Sequence, residues 1–434
     1  MTEAPNSPAV GSLWASSSAP APKLPRLEAE LSAEVAIVGA GFSGLSAAHA
    51  LEKRGISAVV LEANSIGWGA SGRNGGVVTS KFRVSFPEIA RAYDLPTAKR
   101  MHRIGHDAVQ AVAELVAEFD IKSARFERTG NLRCAHTERA RNAITVEAEW
   151  LRRELGDRTV SVMSRDQVAA ETGSRAFTGG VLVGDSGTIH PLNYVCGIAA
   201  GLAARKVGIF ERSPVERIRR ESDGLLLETP AGTVRARQVI IATDAYSDLT
   251  PATRYFKRTI IPFRSAIIAT DRLPAAIDAK LMVGRRSYSE TRRMMKWFRK
   301  VDSRVVFGGR GAFGGEDAPS AFDALQRAMV SLFPDLGQIG IAFRWAGFVG
   351  MTLSQLPHVG RLDDRTCFCL GYNGAGVAMA SLLGRYAAAF AVGESPDVGL
   401  LDAARLKSVP FYPLREPGVR LVAAWYQFLD AIGC

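Results

Sequence analysis

The chain has 434 residues, 47% hydrophobic and 22% charged, with a formal net charge of +11. That length allows a large core and two interleaved domains. No run of eighteen apolar residues is present, so no membrane span is expected; five cysteines, an odd number, argue against a disulfide framework and suit a reducing cytoplasm.

The first 25 residues are rich in Ala, Pro and Ser and lack the basic start and apolar core of a secretory signal. Residues 1–32 read as a loosely ordered arm laid over the surface, with Trp14 as an anchor. Val35–Val38 reads as a short buried strand. Gly39, Gly41 and Gly44 follow at G-x-G-x-x-G spacing. The first glycine allows a tight turn, the second lets a pyrophosphate approach bare backbone, and the third lets helix pack on strand. Phe42 and Ser43 open that helix, whose positive end faces a diphosphate. Gly55 stops the helix, Ser57–Leu61 forms the next strand, and Glu62, with Ala63 after it, stands where a ribose diol is held. The acid permits NAD or FAD and disfavours NADP. The run Gly67–Gly76, GWGASGRNGG, favours FAD, because a flavin needs chain lying flat along its pyrophosphate and ring edge. Met101–Phe119 and Thr137–Leu155 have apolar residues at helical spacing. Thr259–Thr270 reads as a strand kinked or edged by Pro262, residues 281–310 read as antiparallel strands, and Pro410–Ile432 carries Trp425, Tyr426, Phe428 and Leu429 on a helix.

The run VAIVGAGFSGLSAAHALEKRGISAVVLEANSIGWGASGRNGG resembles the amino terminus of the D-amino-acid-oxidase superfamily of FAD enzymes. Its GWGASGRNGG segment resembles the branch of gamma-glutamylputrescine oxidase and related amine oxidases. Similar motifs continue at Gly187-Thr188-Ile189-His190-Pro191, Gln238–Tyr246, Trp345-Ala346-Gly347, Pro357–Gly360 and Gly371–Val377, so the likeness spans about residues 33 to 415. It implies an α/β fold: a discontinuous Rossmann-type FAD-binding domain (33–95, 178–250 and 340–434) with a strand-rich α+β substrate domain (96–177 and 251–339). Cofactor contacts are implied for Gly39, Gly41, Phe42, Ser43, Gly44, Glu62, Ala63, Gly69, Ala70, Ser71, Arg73, Asn74, Gly75 and Gly76. Further contacts are implied for Val215, Ala242, Thr243, Gly371, Asn373, Gly374, Gly376 and Val377. Ser354 stands where the family usually has an acid.

The implied activity is oxidation of the C–N bond of a primary or secondary amine, gamma-glutamylputrescine-like or otherwise anionic-tailed. Hydride passes to flavin N5, the imine hydrolyses to an aldehyde, and oxygen or another acceptor takes the electrons. Small amino acids, N-methyl amino acids and aminophosphonates are alternative substrates, and flavin binding without turnover is an alternative of another class. Tyr288, Arg299, Arg310 and Trp345 are the candidate catalytic and substrate side chains: aromatics wall the amine and an arginine grips the acid. Sarcosine-oxidase relatives attach the cofactor through a cysteine, but Gly371–Gly376 holds none, and Trp68 and Ser71 occupy the region of a covalent histidine, so non-covalent FAD is expected. His102 and His106 share a helix face at i, i+4 without a carboxylate set nearby in sequence, so no metal is expected. The excess positive charge reads as solvated surface or as a field that attracts anions, and no motif supports nucleic-acid binding.

Overall fold

In the computed structural model the described residues are 11–310, 319–414, 417, 418, 421 and 424–426. Two large sheets organise them. The first runs in the order His358–Arg361, Thr366–Leu370, Thr233–Ile241, Glu30–Val38, Ala58–Leu61, Gly208–Phe210. Glu30–Val38 is central and parallel to both neighbours, with Val38 opposite Ile241 on one side and Leu61 on the other. Its last four residues are buried, as a parallel strand covered on both faces requires. The helix Phe42–Glu52 crosses over to the next strand and is buried along almost its whole length. It is buried all round because the helix Gly376–Ala391 lies against it. A Cβ at Gly384 would stand 2.2 Å from the Ser43 carbonyl oxygen, so the two helices meet backbone to backbone, which the Ala- and Gly-rich sequence of Gly376–Ala391 permits.

The second sheet runs in the order Ile341–Met351, Ile261–Thr270, Arg304–Arg310, Lys296–Val301, Ser287–Glu290, Asn131–Ala135, Gly179–Val183, Val160–Met163. It is antiparallel except where Ser287–Glu290 lies beside Asn131–Ala135. Pro262 sits inside its strand without breaking it. It faces Gly350 on one side, whereas pairing on the other side begins only at Ser265, so its missing N–H costs no ladder bond there. The sheet has its own core, in which Phe298 stacks between Tyr288 and Phe307 at centroid distances of 5.3 and 6.0 Å.

The elements match the sequence reading better than their grouping does. Gly179–Val183 and Ile341–Met351, expected with the flavin domain, are strands of the second sheet. The helix Leu95–Glu118, expected with the substrate domain, packs on Gly376–Ala391 and buries Met101, Ile104 and Val112 in the larger core. Alternation announces a strand but not the sheet it joins. Trp14 is fully buried in the short helix Leu13–Ser16, so the arm is anchored as expected. No helix among the described residues is long and apolar enough to cross a membrane. Trp425 and Tyr426 lie in a helical turn, whereas Phe428 and Leu429 fall outside the described residues.

Candidate active site

One cleft is lined from both sheets. Its nucleotide half is made mostly of backbone. Gly39 has φ +101°, a conformation L side chains rarely adopt. A Cβ on Gly41 would meet Ser71 Oγ at 2.9 Å, and one on Gly44 would lie 1.9 Å from the Gly39 carbonyl oxygen. The three glycines therefore serve a turn, an open floor and a helix–strand contact. Gly41 caps the helix without a side chain, which leaves its N-terminal end facing the cleft. Ser71 Oγ accepts from Phe42 N–H at 3.0 Å, fixing the second glycine run over the first. Glu62 lies deep but faces the cleft; Oε2 accepts from Ala40 N–H at 2.9 Å and Oε1 from Asn64 N–H at 3.0 Å. Burial pushes its carboxyl pKa up, against the pull of these N–H groups. These features fit a dinucleotide.

Of the expected cofactor residues, Gly39, Gly41, Phe42, Ser43, Glu62, Ala63, Gly69, Ala70, Ser71, Arg73, Asn74 and Gly75 line the cleft, as do Val215, Ala242, Thr243, Asn373, Gly374, Gly376 and Val377. Gly44, Gly76 and Gly371 stand behind it. Gly76 has φ +68° with Ile189 O at 2.2 Å from its would-be Cβ, and Gly371 has φ +78° against Thr352. The run Gly67–Gly76 is not flat: Ala70–Gly72 forms a 3-10 turn. Nor is either asparagine side chain directed at a ligand. Asn74 Nδ2 donates to the Ala70 and Ser71 carbonyls and its Oδ1 accepts from Gly76 N–H. Asn373 Oδ1 accepts from Thr352 N–H and its Nδ2 donates to Thr352 Oγ1. Arg73 donates to the Trp68 and Ala346 carbonyls and lies over the Trp68 ring.

The substrate half differs from expectation. Arg299 does not line the cleft. It is buried beneath the glycine run, where Nη1 donates to Gly76 O at 2.8 Å and Ile189 O at 2.9 Å, and its guanidinium faces the Trp14 ring. Trp345 also lies outside the cleft lining; its Nε1–H donates to Arg73 O at 2.9 Å and its ring meets Trp14 edge-on. Both residues support the glycine run Gly67–Gly76 from below. Tyr288 reaches the cleft with its ring, but its hydroxyl donates to Glu171 Oε1 at 2.8 Å; burial and that carboxylate push its pKa up. Arg310 ends its strand opposite Ser265, and its side chain lies outside the described residues. Ser354, where an acid was expected, sits 2.7 Å from His358 Nε2, and neither residue lines the cleft.

Tyr372, Asp244 and Lys81 are among the lining residues that were absent from the expected set. Tyr372 Oη lies 2.5 Å from Ser43 Oγ and pins the helix start. Asp244 accepts from Gly371 N–H at 2.6 Å, and burial pushes its pKa up. Lys81 follows the strand Val77–Thr79 and lies deep in the molecule, facing the cleft. Its Nζ is 3.4 Å from Asn131 Oδ1. Burial, with Arg133 adding to it, lowers its pKa to about 8. Among the described residues it has no carboxylate in ion-pair range. No glycine, repeat or motif marks Lys81 in the sequence; its position depends on the turn between the strand Val77–Thr79 and the helix Phe86–Ala92. Across from it, Trp297 is wedged between Gly75 and Gly308, whose added Cβ atoms would lie 2.4 and 2.1 Å from the indole.

Comparison with known proteins agrees with this geometry. The family model described as FAD dependent oxidoreductase, DAO, matches residues 34–390. The chain belongs to that family and is an FAD-dependent oxidoreductase. It is 29% identical over 407 residues to the probable oxidoreductase OrdL of Haemophilus influenzae, covering 92% of each chain. It is likewise 29% identical over 415 residues to gamma-glutamylputrescine oxidoreductase of Escherichia coli, covering 94% of this chain and 95% of the relative. Glycine oxidase from Geobacillus kaustophilus shares the fold with a TM-score of 0.72 at 20% identity, over 87% of this chain and 99% of that one.

Proposed function

We propose that the enzyme oxidises the C–N bond of a primary or secondary amine that carries an anionic group, and that Lys81 receives that group. The observation that carries this reading is Lys81 itself: an ammonium deep in the cleft with no carboxylate in ion-pair range among the described residues. A buried charge is costly unless it is paired, and a substrate carboxylate in the cleft would pair it. Gamma-glutamylputrescine and glycine, the compounds named in the relatives, both join an amine to a carboxylate.

The glycine turn Gly39–Gly44, Glu62, Ser71 and the N-terminus of Gly376–Ala391 would hold FAD, which would supply the hydride acceptor. No cysteine or histidine is among the described residues lining the cleft, which supports non-covalent attachment. Trp297, Phe263 and Phe348 supply apolar walls that exclude water from the amine, and Ser289 and Asn131 add neutral polar contacts beside Lys81. The four described cysteines are free and buried, which supports a reducing, cytoplasmic setting.

Anaerobic mixing of the purified yellow protein with amines tests the reaction. Bleaching of the flavin band by an amine bearing an acid group is expected. Failure of every primary and secondary amine, with bleaching by another donor class such as hydroxy acids, would overturn the amine reading.

A further inference from the structure

Away from the cleft, three segments distant in sequence converge on the exposed side of the helix Leu95–Glu118. His102 and His106 lie one turn apart on that helix. The sequence supplies no carboxylate nearby, but the loop after Glu138–Glu154 brings in Asp157, 55 residues beyond His102. His102 Nε2 is 2.9 Å from His106 Nε2 and 3.0 Å from Asp157 Oδ2, and His106 Nε2 is 3.8 Å from the same oxygen. These three separations bracket the edge of roughly 3.3 Å expected between ligands held about 2.0–2.1 Å from a tetrahedral zinc ion.

The outer contacts are those of a metal site. Asp157 Oδ1 is occupied by Thr159, accepting its N–H at 2.8 Å and its hydroxyl at 2.7 Å, which turns Oδ2 toward the histidines. His106 Nδ1 bonds to Asp185, from the turn between Gly179–Val183 and Ser186–Thr188. A carboxylate behind a histidine is the usual way a metal-binding ring is oriented. With Nδ1–H donating to Asp185, the neutral His106 ring presents an Nε2 lone pair. Asp157 Oδ2 presents another. His102 Nε2 lies within 3.0 Å of both other atoms, and a cation would serve all three. The Phe86 ring packs on His102 at 5.2 Å, while His106 keeps 25% of its side-chain surface exposed, so an ion with a water ligand has a way in.

We propose that His102, His106 and Asp157 bind one divalent cation of the zinc class, with the fourth position open to water. Two imidazoles and one carboxylate suit Zn2+, with Co2+ and Ni2+ as chemical stand-ins. None of the three residues lines the cleft. The ion would staple the helix that packs on Gly376–Ala391 to the loop leading into Val160–Met163 of the second sheet, a structural role joining the two halves of the molecule.

The test uses the full-length, FAD-loaded protein freed of metal by chelation, titrated with ZnCl2 by calorimetry. One saturable site per chain is expected. Zn2+ at a hundred times its Kd should raise the Tm by about 3 °C for a chain this size. The pair of changes His102→Gln and His106→Gln should abolish the site. Asp185→Asn, which keeps all three ligands, should weaken it about 10- to 100-fold. Absence of saturable Zn2+ binding by the unmodified protein would overturn the proposal without any variant, and the three groups would then be a hydrogen-bonded cluster only. Equal binding by the double variant would overturn it as well.

Discussion

The two halves of the cleft are built from different parts of the polypeptide. On the nucleotide side, the positions that matter are those where a side chain cannot be: Gly39 for its backbone angle, Gly41 for the floor it leaves open, Gly44 for contact with the Gly39 carbonyl. On the substrate side, they are side chains carried in from separate strands: Lys81 after Val77–Thr79, Trp297 from Lys296–Val301, Ser289 from Ser287–Glu290. Backbone chemistry depends on local spacing. Side-chain chemistry depends on which strand lies beside which, and on which way each residue faces.

Arg299 and Lys81 sharpen this contrast. Both are basic and lie near the same glycine run. Arg299 donates from Nη1 to the Gly75, Gly76 and Ile189 carbonyls, keeps its Nε buried without a hydrogen-bond partner among the described residues, and lies beneath the loop. Lys81 has a single neutral partner and faces the cleft. The first is a structural cation; the second is the cation proposed to meet the substrate's anionic group.

The largest effect is expected on the nucleotide side. Gly41→Val should abolish FAD binding while the chain still folds, because the isopropyl group would fill the pyrophosphate floor; a loss of about 3 kcal/mol, or roughly 100-fold in flavin Kd, is the least expected. Equilibrium flavin binding checks it, and unchanged affinity would place the dinucleotide elsewhere. Arg299→Met should cost about 2–3 kcal/mol of unfolding stability by leaving buried carbonyls without donors. It should lower kcat/KM equally for amines with and without an acid group. A selective loss toward the acid-bearing amine would return Arg299 to the substrate site.

Lys81→Met should do the reverse. The folded pKa of about 8 lies below the unfolded value of about 10.4. The unfolded chain therefore binds more protons between these values, and the wild-type enzyme should gain stability as pH rises from about 8 toward 10. The methionine variant should lack that rise and be more stable at pH 7 by an amount on the order of 1–3 kcal/mol. Parallel denaturant titrations at pH 7 and 9.5 measure both. The smallest effect is expected for Trp14→Phe, which keeps a ring but loses the N–H that donates to Asn74 O at 2.8 Å. A loss of about 1 kcal/mol, seen as faster flavin release, would show that the arm steadies the nucleotide loop; release at the wild-type rate would confine Trp14 to packing.

Much of the first half was legible from the chain alone. Glycine spacing, Glu62 and the helix stop at Gly55 are local signals, and the elements they mark appear where expected. The second half was less so. Tyr288 was among the residues singled out and reaches the cleft, but strand alternation left open which of its neighbours, Trp297 among them, turn inward. Arg299 is held beneath the glycine run by the Gly75, Gly76 and Ile189 carbonyls and by the ring of Trp14, 285 positions earlier, partners that strand alternation does not announce. Asn74 and Asn373 carry the composition of ligand contacts, yet turn residues use such side chains on their own backbone. His102 and His106 were visible as a pair, but Asp157 and Asp185 reach them only through the tertiary fold.

The most direct test pairs two amines of equal length, one ending in a carboxylate and one in a neutral group, and follows KM from pH 6 to 9. For the acid-bearing amine, KM relative to the neutral one should rise as pH passes about 8, where Lys81 loses its charge, and that pH-dependent difference should vanish in Lys81→Met. A KM ratio that is flat with pH in the wild-type enzyme and unchanged in the variant would contradict the assignment of Lys81 as the partner of an anionic substrate group.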